Sequence, residues 1–360
     1  MENRINTALI GFGLSGRVFH APLIASMPEF NLSKIYTTNP DSIKTIKALY
    51  PKTSVVSEVG EAMKDESIHL VIVASPNISH FTTAREAIIS EKHVVVEKPF
   101  TVTSKEADNL IALSKKYGRI LSAYHNRRWD SDFKTVKRVI ESTLLGNLAE
   151  CEMHFDRFRS CVKENAWREE CAPGSGILYD LGSHLVDQAL VLFGLPDSIF
   201  ADIRIQRPEG KADDCFEIVM GYKGLKVTLK AGMLVRGELP RYILLGDKGS
   251  YIKYGMDIQA ADLEAGRTPH TRVLWGKEPE ELHGTINTTV NGLNIAGKVE
   301  SEIGDYREYY ADIHKAVSLK GTAAVSPVDA RNVIRLLELA KESSKSKCTL
   351  EVNAKDGYIL

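Results

Sequence analysis

The chain has few cysteines, no excess of positive charge and no long apolar run. Its 360 residues include five cysteines without a CxxC pair, which fits reduced thiols in a cytosolic protein better than a disulfide scaffold. Lys and Arg total 46 against 47 Asp and Glu, so bulk electrostatics would not hold nucleic acid or an anionic lipid surface. The apolar runs are far shorter than a membrane span, and the start runs into Gly11 and Gly13 rather than a signal-peptide cleavage site. We therefore expect a cytoplasmic protein with no nucleic-acid and no membrane partner.

The length exceeds what one hydrophobic core usually serves, so two domains are expected. Up to about Tyr124, short apolar runs alternate with amphipathic stretches, the pattern of a parallel sheet buried on both faces. The predicted strands are 7–10, 32–37, 69–74, 93–96 and 120–124, and the predicted helices are 17–27, 42–49, 79–89 and 104–117. Residues 1–124 are therefore interpreted as an α/β domain with a doubly wound parallel sheet.

After residue 124 the rhythm changes to that of an α+β domain, predicted over residues 125–360 on a mainly antiparallel sheet. Strands are predicted over 151–159, 216–222, 226–231 and 243–246, with helices around 133–140 and over 181–193. Residues 257–304 are polar and weakly periodic, which predicts long loops. Helices are expected again over 306–319 and from 326 to about 345, where Ser326 suits an N-cap and Pro327 the first helical position. This last helix could pack back on the first domain.

A GxGxxG motif lies between the first predicted strand and helix. The first glycine permits a tight turn, the second lets backbone approach a pyrophosphate, and the third lets the helix pack on the strand. A glycine-rich turn without a ligand is the alternative, but the context favours dinucleotide binding. The candidate residues are Gly11, Phe12, Gly13, Leu14, Ser15 and Gly16.

The end of the second predicted strand bears on the choice of cofactor. NAD-specific folds usually carry Asp or Glu there to accept from the ribose 2′-hydroxyl. Here the residues are Thr37, Thr38 and Asn39, so nothing before Asp41 would repel a 2′-phosphate. The sequence favours NADP, and NAD stays open because a loop could place Asp41 at the ribose.

Lys98 follows the strand 93–96 and precedes Pro99. Because open α/β sheets bind ligands at the carboxyl ends of their strands, this lysine could direct a cation toward a reacting oxygen. An ordinary surface lysine in a turn is the alternative.

Asp180 and His184 are four residues apart, so they would share one face of a helix. Histidine suits proton transfer near neutral pH. The alternatives are a helix-capping Asp180 and a core His184. A zinc site would need a third ligand that the spacing does not supply, so no metal is expected.

These motifs occur in one order, and together they resemble the glucose-fructose oxidoreductase, inositol dehydrogenase and rhizopine-catabolism family. The resemblance covers nearly the whole chain. Segments 11–20, 124–130 and 252–255 look most like its NADP-dependent scyllo-inositol dehydrogenase branch. The motifs are GxGxxG at 11–16, Ser75-Pro76-Asn77 with His80, Glu97-Lys98-Pro99, Asn126-Arg127-Arg128-Trp129-Asp130, and Asp180 with His184.

The resemblance implies a Rossmann domain followed by an open-faced, mainly antiparallel sheet, with the active site between them. It implies that Lys98 is the catalytic lysine, Asp180 orients the substrate and His184 is the acid/base. It further implies homodimers or homotetramers formed through the exposed sheet. The remaining implied positions are Ser75, Pro76, Asn77 and His80 along the cofactor, Glu97 near the nicotinamide ribose, and Asn126 and Arg127 facing nicotinamide and substrate.

The leading hypothesis is reversible oxidation of a secondary alcohol on a cyclic polyol or sugar, with hydride exchanged with the nicotinamide. One alternative is a regulator that binds dinucleotide and sugar without turnover. A second is a bound nicotinamide used transiently in hydrolysis or elimination. Residue type alone suggests Arg127, Arg159, Trp167 and Tyr242 as pocket residues, and a surface or core position is the equal alternative for each.

Overall fold

The computed structural model describes residues 4–163 and 166–352. Within these ranges the strands are β1 (Ile5–Ile10), β2 (Phe30–Tyr36), β3 (Ser54–Val56), β4 (Leu70–Val73), β5 (His93–Val96), β6 (Leu121–Ala123), β7 (Leu148–His154), β8 (Ser198–Arg204), β9 (Cys215–Tyr222), β10 (Leu225–Gly232), β11 (Tyr242–Gly246), β12 (Gly249–Lys253), β13 (Gly284–Val290), β14 (Leu293–Val299) and β15 (Leu350–Glu351). The helices are α1 (Ala21–Ala25), α2 (Pro40–Leu49), α3 (Gly60–Met63), α4 (His80–Ile89), α5 (Ser104–Tyr117), α6 (Ser131–Glu141), α7 (Ser183–Phe193), α8 (Gln259–Glu264), α9 (Arg307–Ser318) and α10 (Pro327–Ser346).

The chain divides into two compact units. The first holds the residues up to Asn126 together with Gln259–Trp275 and Asp305–Arg331. The second holds Arg127–Ile258, Gly276–Gly304 and the residues from Asn332 onward. The predicted boundary at residue 124 assigned 259–275 and 305–331 to the second domain, whereas these segments make their contacts in the first unit. Periodicity describes the neighbours along the chain and does not show where a later segment returns.

The first unit contains a six-stranded parallel sheet in the order β3-β2-β1-β4-β5-β6. Every residue of β4 is buried, as expected for a sheet covered on both faces. The Rossmann prediction is confirmed. The strand order reverses between β1 and β4, and folds of this class bind ligands beside that point, at the carboxyl ends of the strands.

Some elements begin and end at the predicted residues because their signals are local. Strand β5 and helix α5 have the predicted bounds. Thr103 and Glu106 form a reciprocal capping box at the start of α5, and Gly118 ends it in a left-handed conformation with φ of 61°. The prediction missed β3 and α3, which have three and four residues and are too short to show a period.

The second unit is built on a nine-stranded sheet in the order β14-β13-β12-β11-β7-β10-β9-β8-β15. Strand pairs are antiparallel except for β7 and β10, which are parallel. The predicted class, a mainly antiparallel second domain, is confirmed.

The prediction of long loops over 257–304 was wrong, because this stretch contains α8, β13 and β14. The hairpin β13–β14 turns through Asn291 and Gly292, whose φ values of 52° and 82° suit a two-residue hairpin turn. Strand β14 is exposed along almost its whole length, Leu293 and Ile295 included, so the alternation of its apolar residues does not follow a buried face.

Helix α10 begins as predicted, with the Ser326 hydroxyl accepting from the backbone N–H of Asp329 at 3.0 Å. Its first turn belongs to the first unit, where Arg331 donates to Asp108 of α5 at 2.9 Å. Over residues 4–163 and 166–352, no helix has both the length and the apolar character needed to cross a membrane.

Candidate active site

The glycine loop follows β1 and has space for a ligand at one of its glycines. Gly11 has a φ of +106°, and a Cβ there would lie 2.6 Å from the carbonyl oxygen of Ala74. A Cβ at Gly16 would overlap the carbonyl oxygen of Gly11, whereas a Cβ at Gly13 would meet nothing within 4 Å. Packing therefore requires glycine at two positions, while backbone at Gly13 stays open to an approaching pyrophosphate. The loop fits a dinucleotide.

Three side chains of this loop differ in what they can offer. Phe12 is buried and packs edge-on against Tyr50, with ring centroids 6.5 Å apart. Ser15 donates its hydroxyl to the carboxylate of Glu97. Leu14 is exposed. Because its ring is buried, Phe12 can therefore offer a nucleotide only its backbone.

The end of β2 presents no carboxylate before the start of α2. The side-chain oxygen of Asn39 accepts from the backbone N–H groups of Asp41 and Ser42 at 2.9 and 3.0 Å, so it caps α2. Thr37 is buried and its hydroxyl accepts from the Asn39 backbone, whereas Thr38 is exposed. Asp41 contacts Lys44 at 3.4 Å, with both side chains exposed.

His80 connects the loop after β4 to the turn after β5. It is buried, and its Nε2 and Nδ1 lie 3.0 and 2.9 Å from the carbonyl oxygens of Ser75 and Pro99. The hydroxyls of Ser75 and Ser79 lie 2.7 Å apart. Asn77, which lies between these two serines in the sequence, is buried. His80 therefore braces two loops of the same sheet edge.

Glu97 is a buried carboxylate at the end of β5. One of its oxygens accepts from Ser15 and lies 2.9 Å from His20 Nε2, and the other accepts from the backbone N–H of Lys98 at 2.8 Å. Burial alone raises the pKa of Glu97, but the hydrogen bond and charge of His20, the charge of Lys98 and the Ser15 hydroxyl together lower it to about 2. Lys98 is partly exposed and joined to Pro99 by a cis peptide bond.

The predicted cofactor residues of the first unit thus follow the carboxyl ends of five neighbouring strands. Asn126, buried, begins a short turn after β6, and the boundary between the two units falls between it and Arg127. The residues at this edge are 11–16 after β1, 37–39 after β2, 75–80 after β4, 97–98 after β5 and 126 after β6.

In the second unit, His184 stacks on the ring of Phe155, and three arginine side chains also lie against that ring. Its imidazole is buried and stacks on Phe155, with centroids 6.3 Å apart and planes at 28°. Arg127, Arg157 and Arg241 place their guanidinium carbons 4.8, 5.3 and 4.9 Å from the centre of the same ring. The predicted residues Arg127 and His184 therefore share one aromatic partner.

Asp180 lies in a widened helical turn, Leu178–Gly182, that runs into α7. Its carboxylate is 3.7 Å from Arg157 and 3.5 Å from Arg168. It is not a capping residue of α7, since no side-chain cap hydrogen bond is formed there. Arg157 links Asp180 to the ring of Phe155.

Asp213 and Gly176 hold the turn that carries Asp180. The Asp213 carboxylate accepts from the Leu178 backbone at 2.7 Å, and a Cβ on Gly176, at φ +81°, would overlap that carboxylate. Burial raises the pKa of Asp213, against the hydrogen bond from Leu178. Sequence reasoning missed Arg157 and Arg168 as partners of Asp180, and it missed Asp213 as the residue that holds the turn at Leu178. Only the Gly174-Ser175-Gly176 run signalled a constrained turn.

Three of the residues suggested by type alone differ in burial. Tyr242 is wholly buried and donates to Gln188 at 3.0 Å, which makes it a core residue. Trp167 is half-buried, with Arg168 over its ring at 4.5 Å. Arg159 is exposed. The residues described include no cluster of three or more His, Cys, Asp or Glu side chains suited to a metal ion.

Comparison with known proteins places the chain in a family. Residues 5–125 match the NAD-binding Rossmann-fold domain of the Gfo/Idh/MocA oxidoreductase family, and residues 137–352 match the C-terminal alpha/beta domain of that family. The chain therefore belongs to the Gfo/Idh/MocA oxidoreductase family, and the resemblance inferred from the motifs is confirmed.

Individual relatives are similar over nearly the full length. The chain is 42% identical to the uncharacterised oxidoreductase YdgJ of Escherichia coli K12, over 97% of this chain and 99% of that protein. It is 37% identical to the NADP(+)-dependent scyllo-inositol 2-dehydrogenase IolW of Bacillus subtilis 168, over 96% and 95% of the two chains. The solved structure of the oxidoreductase yvaA from Bacillus subtilis superposes with a TM-score of 0.94 at 36% identity. The match covers 98% of this chain and 99% of that one.

Proposed function

We propose that this oxidoreductase is an NADP-dependent dehydrogenase that reversibly oxidises a secondary alcohol of a cyclic polyol or sugar. The observation that carries the proposal is the sheet edge of the first unit, where the open backbone at Gly13 and the partly exposed Lys98 follow β1 and β5. The activity of the relative IolW, an NADP(+)-dependent scyllo-inositol 2-dehydrogenase, supports the substrate class and the cofactor.

The dinucleotide, when bound, supplies the nicotinamide carbon that accepts or returns a hydride. The chain supplies proton transfer and charge. We assign removal of the hydroxyl proton to the imidazole of His184, which is held against Phe155. The ammonium of Lys98 stabilises the negative charge that develops on the same oxygen. Asp180, flanked by Arg157 and Arg168, orients a neighbouring hydroxyl of the substrate.

The preference for NADP is argued from the end of β2. A carboxylate there would repel the 2′-phosphate of NADP and would accept from the 2′-hydroxyl of NAD. The chain has Thr37, Thr38 and Asn39 instead. Thr38 and the side chain of Arg17 are exposed and can donate to a phosphate.

One experiment tests the function directly. The purified chain is mixed with NADP or NAD and a panel of inositols and hexoses, and formation of reduced nicotinamide is followed by absorbance. We expect NADP to be reduced faster than NAD, with at least one cyclic polyol or sugar, and Lys98→Ala to abolish the reaction. Tight binding of NADP without its reduction by any panel member would instead support the regulator.

A further inference from the structure

The carboxylate of Glu97 holds two parts of the nucleotide-binding edge at once. It receives the Ser15 hydroxyl, which belongs to the glycine loop, and the backbone N–H of Lys98, which begins the next turn. These two segments follow β1 and β5, strands that are separated in the sheet by β4. A single side chain therefore sets the spacing of the glycine loop and the lysine turn.

Glu97 is itself held from behind by His20, which is wholly buried. His20 Nε2 lies 2.9 Å from the carboxylate, and its Nδ1 is hydrogen-bonded to the hydroxyl of Tyr310 in α9. Since an ionised carboxylate only accepts, Nε2 must carry the hydrogen. When the imidazole is neutral, Nδ1 then accepts from Tyr310, so the tyrosine selects the tautomer that donates to Glu97.

We propose that His20 and Tyr310 are positioning residues for the dinucleotide, which fix the Glu97 carboxylate and through it the glycine loop and the Lys98 turn. This inference rests on the proposed use of this edge for NADP(H). Neither residue was predicted from sequence, and neither is placed against the reacting atoms.

The physical reason is the cost of a buried carboxylate that loses a donor. Glu97 is ionised despite its burial, chiefly because of His20. Among the described residues, the titratable or charged groups beside this chain of hydrogen bonds include Lys98, next to Glu97, and two tyrosines. The ring centroid of Tyr124 is 4.3 Å from that of His20, and the ring centroid of Tyr309 is 5.2 Å from that of Tyr310. Without the imidazole the carboxylate would take up a proton more readily, and it would then hold Ser15 and Lys98 less firmly.

The test compares five variants by their NADPH dissociation constants, measured by nucleotide fluorescence from mildly acidic to mildly alkaline pH. His20→Phe removes the donor, and we expect binding about tenfold weaker at neutral pH, the order of a lost charge-assisted hydrogen bond. The loss should deepen toward acid as Glu97 protonates, while the wild type stays flat. His20→Gln, which can still donate to Glu97, should recover most of the affinity. Tyr310→Phe should fall between them.

Tyr309→Phe is the matched control. Tyr309 is buried in the same helix beside Tyr310, but its hydroxyl donates to Ser122 at 3.0 Å, whereas the Tyr310 hydroxyl is bonded to His20. We expect it to lose stability like Tyr310→Phe and to bind NADPH like the wild type. The double variant His20→Phe with Glu97→Gln should lose the acid limb, because the titrating group is gone.

Three results would overturn the inference. These are a flat, wild-type profile for His20→Phe, no recovery in His20→Gln relative to His20→Phe, or equal losses of affinity in Tyr309→Phe and Tyr310→Phe. A wild-type chain that binds neither NADPH nor NADH would refute the proposed function and this inference with it.

Discussion

Gly11 and Gly13 are two residues apart in the same loop, yet substitutions at the two positions should act on different properties. At Gly13 an added Cβ meets nothing within 4 Å, and φ is outside the left-handed region. Gly13→Val should therefore change the free energy of unfolding by no more than about 0.5 kcal/mol, as for other unobstructed surface positions. The new side chain would occupy the space that a pyrophosphate needs. Losing two charge-assisted hydrogen bonds from the loop backbone weakens binding by at least about 10²-fold.

Gly11→Ala, in contrast to Gly13→Val, should lower the stability of the fold. At φ +106° an alanine is strained, and its Cβ would lie 2.6 Å from the backbone oxygen of Ala74. Strain of this kind costs about 1–3 kcal/mol, which lowers the melting temperature by several degrees in a domain of this size. Thermal melts of the apo protein and fluorescence titrations with NADPH measure the two effects separately. If Gly13→Val bound NADPH like the wild type, or melted as early as Gly11→Ala, the assignment of the loop would be refuted.

Three further predictions concern the acid/base residue, cofactor choice and pH. His184→Ala should slow hydride transfer by about 10² to 10⁴-fold, the usual range for a positioned acid/base. Single-turnover absorbance measures it, and an unchanged rate would remove His184 from that role. Thr38→Asp should reverse the preference toward NAD, because it places a carboxylate at the end of β2; dissociation constants for both cofactors check this, and an unchanged ratio would contradict it. The pKa of Glu97 is lowered from its ordinary 4.5 to about 2, so its ionised form stabilises the fold above about pH 4.5, and this contribution is lost as the pH falls toward 2. The stability difference between wild type and Glu97→Gln, from denaturant titrations, should shrink over that interval, and a constant difference would argue against an ionised, buried Glu97.

Much of the first unit could be predicted because its signals are local. The capping box of Thr103 and Glu106 and the left-handed Gly118 define α5 from residues within the helix and its ends. The glycine spacing after β1 likewise reflects contacts over a few residues. Strand β14 was not predicted, because it lies in a polar stretch, its apolar residues are exposed, and its place in the sheet is set by pairing with β13.

The roles of the individual side chains depended on segments far apart in the chain. By itself the sequence determined the fold class, the glycine loop and the candidates Lys98, Asp180 and His184, since each belongs to a short motif with its own chemistry. Only the tertiary structure decided that His20 reaches Glu97, 77 residues away, and Tyr310, 290 residues away. It also decided that Arg157 and Arg168 contact Asp180. Motifs record interactions between neighbours along the chain, whereas a buried carboxylate is satisfied by whichever donors folding brings to it.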